Sequence, residues 1–448
     1  MIPAQNLKLG LVSLARTTFD IPLANQVAAQ VRLRLHDASF QLAGSEELVT
    51  NLEETQAVAR KLAQQPLDLL VVLQATFADS TMVMSLAEAV DAPLLLWAVP
   101  EERSGGRLRL NSFCGINLGA HALRRGGYDY EYVYAPPQDP AALDKIQTLA
   151  VAGRARRLLR QARLGRIGEN PDGLDSCELD KGALDRHFGL DVVQAELADI
   201  FEAARKADPQ QVDTLEQDLI TKLDGLQELD PAAVRRTLSS YLALRQLAEE
   251  EHLMGLAVRC WPEFFTELGC AACGAMSILS DELMPCSCEA DVNGTVTQLM
   301  LQWLSGEPAF GTDLVSVDTE EDLVVLWHCG LAPLSMADPA VRPRATIHSN
   351  RQLPLLMEFP LKPGRVTVAR LSEATGGYRL VVGGGEMLRA PMSFAGTSGV
   401  MRFDRPAAEV LDTLLSEGLE HHVSLTYGDY QPALLALAKM LDLPVLRL

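Results

Sequence analysis

The chain has 448 residues, with 59 acidic against 39 basic side chains and a formal net charge of −20. That length calls for two to four domains with large cores, and that charge argues against nucleic acid or an anionic membrane as partner, since both would repel it. No apolar run reaches the roughly 18 residues that a spanning helix needs. The opening M-I-P-A-Q-N-L-K-L-G-L-V-S-L-A reads as a first strand rather than a secretion signal, and eight cysteines beside mostly apolar neighbours fit reduced thiols in a cytoplasmic protein.

Residues 1–145 alternate strand and helix patterns. Strands are expected at Lys8–Ala15, Leu67–Ala75, Pro93–Val99 and Glu131–Ala135, and helices at Leu52–Gln64 and Met82–Val90. The strands are unbroken apolar runs such as L-D-L-L-V-V-L, which points to a parallel sheet covered by helices on both faces. Ligand contacts in such sheets lie just past the C-terminal strand ends, here Arg16–Asp20, Gln74–Asp79 and Trp97–Glu101. P-P-Q-D-P at 136–140 reads as the linker out of this domain.

A second domain is expected over 146–303. It opens with the Arg-rich G-R-A-R-R-L-L-R-Q-A-R and the strand R-L-G-R-I-G, then passes through F-G-L-D-V-V. Long helices follow at about Gln211–Gln227 and Pro231–Glu250, the latter with Asp230 as N-cap and Pro231 in its first turn. A strand at Leu253–Arg259 and a helix at Gly269–Asp281 precede C-S-C-E-A-D. Residues 304–448 hold short strands, L-V-V-L-W, V-T-V-A-R, Y-R-L-V-V and H-V-S-L-T, between Gly-rich turns, with a last helix at Pro432–Leu441. This suits an antiparallel, barrel-like domain.

Four hard metal ligands stand at the ends of apolar runs: Glu289 in C-S-C-E-A-D, Asp313 in F-G-T-D-L, His328 in L-W-H-C-G, and His422 in the pair H-H. Two carboxylates and two imidazoles suit one divalent ion such as Mn²⁺ and leave positions free for a substrate with adjacent oxygens. Alone, each is ambiguous: acidic residues are abundant here, and a lone His after a strand is more often structural than a ligand. His421 is expected to point away from His422, because neighbours in a strand face opposite sides.

Weaker candidates are Gln74 and Asn111 as substrate contacts or loop caps. Cys270-x2-Cys273 with Cys286-x-Cys288 approaches a four-thiolate zinc pattern, but G-C-A-A-C-G-A-M reads as tight helix packing, so buried free thiols are expected. The six arginines from Arg154 to Arg166 read as a solvated helix face. G-G-G at 383–385 is followed by a strand pattern, hence a turn rather than a dinucleotide site.

From about Met254 to Leu448 the text resembles the L-fucose isomerase and L-arabinose isomerase family. L-S-G at 304–306 shortly before Asp313, and the ending H-H-V-S-L-T-Y-G-D-Y-x3-L-L-A-L-A-K-M-L-D-L-P-V, carry the likeness. The resemblance implies two Rossmann-like α/β domains and a C-terminal β-barrel domain. It also implies a metal-dependent aldose–ketose isomerase acting on a sugar through an enediol. Glu289 and Asp313 would be the acid–base pair and, with His328 and His422, the ligands of Mn²⁺ or another divalent ion. L-N-S-F-C-G at 110–115 is similar to a family stretch whose His reaches a neighbouring subunit's site. Cys114 stands at that position, a departure that bears on which sugar is preferred. Asp429 lies where some members carry a His. The family implies a homo-oligomer, trimeric, tetrameric or hexameric, with sites near subunit interfaces. A non-catalytic sugar-binding or regulatory protein, or a metal-dependent sugar epimerase or aldolase, are the alternatives.

Overall fold

A computed structural model describes residues 2–448, in two compact units. One runs up to Arg157 and the other from Leu158 to Leu448.

The first unit is built on five parallel strands, in the order Gln41–Gly44, Lys8–Leu14, Leu69–Gln74, Leu94–Ala98, Glu131–Tyr134. Every residue of Leu69–Gln74 and Leu94–Ala98 is buried, which is why their sequences are unbroken apolar runs. Helices Ile21–Asp37, Leu52–Leu62, Ser80–Ala89 and Ser112–Arg125 lie between them. The short strand Gln41–Gly44, and the helices Ile21–Asp37 and Ser112–Arg125, carry no strong sequence period and go beyond the sequence expectation. The strand order reverses between Lys8–Leu14 and Leu69–Gln74, the switch point where such sheets bind ligands.

The Arg-rich segment 153–163 straddles the two units, whose boundary falls after Arg157, and its first part ends the helix Pro140–Leu159. Arg157 donates to the buried Asp68 carboxylate at 2.7 Å, and a Cβ at Gly153 would meet Asp68 O at 1.8 Å. The helix is thus seated closely on the first sheet.

The second unit contains a parallel sheet, in the order Asp191–Ala195, Arg163–Ile167, Gly255–Val258, Cys286–Ser287. The helix Pro231–Glu250 starts as expected, with the Asp230 carboxylate accepting from Ala232 N. The same unit holds a closed barrel of six antiparallel strands. Phe310–Asp318 pairs with Leu323–His328, then Thr397–Phe403, Arg379–Leu388, Gly364–Ser372 and His422–Tyr427, which returns to Phe310–Asp318. The architecture is therefore α/β with Rossmann-like parallel sheets and a C-terminal antiparallel barrel.

One sequence reading is overturned here. Gly383–Gly385 is not a turn but the middle of the strand Arg379–Leu388. Gly385 pairs with Val366 on one side and Phe403 on the other, and a Cβ there would meet Arg402 O at 2.1 Å. Glycine permits the close backbone approach at the point where the barrel closes. Among the described residues no helix is long and apolar enough to cross a membrane.

Candidate metal and active site

Two features of the second unit converge on one point. Glu289 follows immediately on the edge strand of the parallel sheet, in a turn Cys288–Ala290 where its own φ is 59° and that of Ala290 is 55°. A non-glycine residue held in this left-handed region costs about 1–3 kcal/mol, a cost that persists where the surroundings fix the position. Asp313 and His422 come from the barrel and are direct partners across its antiparallel ladder. Cross-strand partners share a face, so the carboxylate and imidazole are neighbours by register.

His422 is fixed by a buried relay. Its Nδ1 lies 3.0 Å from Asp291 Oδ2, and Arg370 donates to the same oxygen at 2.5 Å. The Asp291 and Arg370 side chains are each 1% exposed. Burial pushes the Asp291 carboxyl up, but the Arg370 charge and the His422 hydrogen bond outweigh it and hold it well below the usual carboxylate range. An ionised carboxylate only accepts, so Nδ1 carries the hydrogen and Nε2 presents a lone pair.

That lone pair faces Asp313 Oδ1 at 3.5 Å and Glu289 Oε2 at 3.8 Å. Asp313 Oδ1 is buried and has no hydrogen-bond partner. The donor chemistry of Glu289, Asp313 and His422 fits a divalent ion, and the ligand atoms of Glu289 and His422 lie within 4.8 Å of one another together with those of Cys177 and His421. The relay behind His422 is the usual support for an imidazole ligand.

Trp261 Nε1 donates to Glu289 Oε1 at 3.0 Å, and His421 Nε2 lies 3.2 Å from Oε2. Burial pulls the Glu289 pKa up, but His421, the nearby His422 and Trp261 bring it down to about 2. His421 thus contradicts the alternation expected of it. The strand begins at His422 and residue 421 sits in a bend, so its ring turns back to Glu289 while its Nδ1 meets Ser176 Oγ at 2.8 Å.

His328 ends the strand Leu323–His328, its ring centroid 6.0 Å from that of His422. Its Nδ1 accepts from Cys329 N at 2.8 Å, which puts the hydrogen of the neutral ring on Nε2. In this orientation His328 offers a donor beside the set, and a nitrogen of its ring lies within 4.8 Å of possible ligand atoms of His422 and Cys288.

Of the remaining candidates, one belongs to the second unit and three to the first. Asp429 is exposed beyond the far end of the strand His422–Tyr427, capping Gln431 N and 3.6 Å from Arg365. In the first unit Gln74 is fully buried at its strand end, with both amide atoms unpartnered. Asn111 has a φ of 54° and precedes the helix Ser112–Arg125, on which Cys114 is exposed.

The zinc pattern does not assemble. Cys273 lies 3.3 Å from Cys329 and Cys288 3.1 Å from Cys260, sulfur to sulfur, while Cys286 faces Met284 O. Cys177 sits 3.7 Å from Glu289 Oε2, but burial and the neighbouring carboxylates push its thiol far up, so it stays protonated.

Sequence reasoning missed Asp291, Arg370, Trp261 and Cys177. Asp291 had a signal, since it N-caps the helix Val292–Ser305 by accepting from Gly294 N. Arg370 had none, because a fully buried arginine within a strand reads as surface.

Known proteins share this arrangement of sequence. The N-terminal domain model of the fucose/sulfoquinovose isomerases matches residues 10–158, and the L-fucose isomerase C-terminal domain model matches residues 326–448. A sulfoquinovose isomerase of Alkalicoccus urumqiensis is 32% identical over 440 residues, 97% of this chain and 98% of its own. Those of Priestia megaterium and Clostridium sp. are each 31% identical, over 98% and 92% of this chain and the same shares of their own. The chain belongs to the fucose isomerase family, a family of sugar isomerases. Within it, these three relatives all carry the name sulfoquinovose isomerase. A solute-binding protein of Actinobacillus succinogenes overlays with a TM-score of 0.17 at 11% identity, too little to bear on the fold.

Proposed function

We propose that this chain is a metal-dependent isomerase that interconverts an aldose and a ketose, and that its substrate is sulfoquinovose, the sulfonated sugar in its relatives' names. The carrying observation is the unpartnered Asp313 Oδ1 facing the His422 lone pair and Glu289 Oε2. Glu289, Asp313 and His422 would hold a divalent ion, Mn²⁺ by the hardness of two carboxylate ligands. When bound, the ion supplies positive charge against the negative charge that develops on the sugar's first two oxygens.

The side chains do the rest. Isomerisation takes a proton from C2 of the aldose and returns one to C1, so it needs an acceptor that is ionised near neutrality. Glu289 is such an acceptor, with its Oε1 fixed by the Trp261 N–H and Oε2 turned inward. Asp313 stands across from it as the second proton carrier. Asp291 and Arg370 keep the His422 ring from turning. His328, with its hydrogen on Nε2, donates to a sugar oxygen. Copies of the chain assemble, and the unpartnered Gln74 amide and Asn111 serve a neighbour's site.

The test is ketose formation from sulfoquinovose, followed by carbon NMR on Mn²⁺-loaded and chelator-treated protein. Conversion that stops on chelation and resumes with Mn²⁺ supports the reading. Absence of ketose under every metal overturns it.

A further inference from the structure

One cation stands close to the carboxylate–imidazole set without a counter-ion. Arg351 follows the strand Arg344–Thr346, its guanidinium carbon 4.8 Å from the Trp261 ring centroid and 5.2 Å from that of Phe265. In a chain of net charge −20, it forms no ion pair with a carboxylate among the described residues. Its one partner in hydrogen-bond range is His348 Nε2, at 3.4 Å. His348 is buried, and burial together with the Arg351 charge lowers its pKa to about 4, so near neutrality it offers Arg351 no charge.

Trp261 ties this cation to the reacting end of the site. Its indole N–H holds Glu289 Oε1, while its ring face carries the Arg351 guanidinium. A single indole therefore touches both groups, by its N–H at 3.0 Å and by its ring centroid at 4.8 Å. The cavity reached through His421, which meets the other Glu289 oxygen, is unsuited to an anion. His421 meets Ser176, which lines this cavity of about 780 Å³, whose walls include Asp175, Glu178, Asp180, Glu373 and Glu420 against Arg186 and His187.

We propose that Arg351, seated on Trp261 and Phe265, binds the anionic group at the far end of the sugar and selects an acidic sugar over a neutral one. The proposal rests on the isomerase reading above. Guanidinium is the cation best suited to a sulfonate, because its planar fork pairs with two of the oxygens and stacking on aromatic faces orders it before the substrate arrives. Lysine keeps the charge but neither the fork nor the stacking.

The experiment compares kcat/KM for sulfoquinovose with that for its uncharged 6-deoxy analogue in wild type, Arg351→Gln and Arg351→Lys. A charge-assisted pair lost from a half-buried site lowers the ratio about 10–100-fold in Arg351→Gln, through KM for the sulfonated sugar. Arg351→Lys falls between. Calorimetric binding of the sulfonated sugar alcohol, which cannot isomerise, should weaken in the same order. An unchanged ratio, or equal loss on both sugars, overturns the assignment. Should wild type convert neither sugar, the isomerase reading fails, and binding of the alcohol still decides Arg351: weakening in both variants sustains it, and equal binding ends it.

Discussion

Asp291 Oδ2 accepts both the His422 Nδ1 hydrogen and an Arg370 N–H, and neither Asp291 nor Arg370 reaches solvent. One carboxylate thus joins the parallel sheet to the barrel and sets which nitrogen of His422 is free. Replacing Asp291 by Asn keeps the shape but allows the other tautomer. Mn²⁺ affinity should fall about 10–100-fold, the usual effect of losing such support, as read by metal titration. Unaltered affinity would show that the ring is held by something else.

Arg370 gives the corresponding stability test. Arg370→Met strands the Asp291 charge in the interior, and breaking a buried pair in this way costs about 3–5 kcal/mol. Urea unfolding of the metal-free protein measures it. A loss under about 1 kcal/mol would mean that water reaches Asp291 once the arginine is gone.

The two histidines should separate. His422→Asn removes the lone pair facing Asp313 and Glu289, so the variant should no longer retain Mn²⁺ through gel filtration. His328→Asn should retain the ion and lose turnover, because His328 Nδ1 is occupied by the Cys329 N–H. Equal loss of metal in both variants would make His328 a ligand, with its ring turned over.

Acid should act on the protein partly through His348. Its pKa in the fold, about 4, lies below the ordinary value of 6.5. The folded form therefore resists the proton that the unfolded chain accepts. Stability is full above pH 6.5 and declines as pH falls towards 4. His348→Gln should lose less between pH 7 and pH 4.5 than wild type in urea unfolding midpoints. Parallel losses would assign the acid sensitivity to other groups.

Much of this was legible from the chain. Unbroken apolar runs marked the central strands of the first sheet, since a strand covered on both faces has no polar side to alternate. Glu289, Asp313 and His422 stood out through their family context, and register explains two of them, Asp313 and His422 being cross-strand partners. What escaped depends on tertiary placement. The Gly383–Gly385 run reads locally as a turn, and only barrel closure makes it a strand. His421 turns inward because its strand starts one residue later. Arg370 looks like any surface arginine until Asp291 is brought against it.

The most direct test of the account is isomerisation of sulfoquinovose in deuterated water by Mn²⁺-loaded wild type, Glu289→Gln and Asp313→Asn, read by NMR. If the carboxylates carry the proton, wild-type ketose gains deuterium at C1. Each variant should then turn over about 10²–10⁴-fold more slowly, the scale of a lost general acid or base. Ketose free of deuterium at high conversion, with both variants near the wild-type rate, would contradict it.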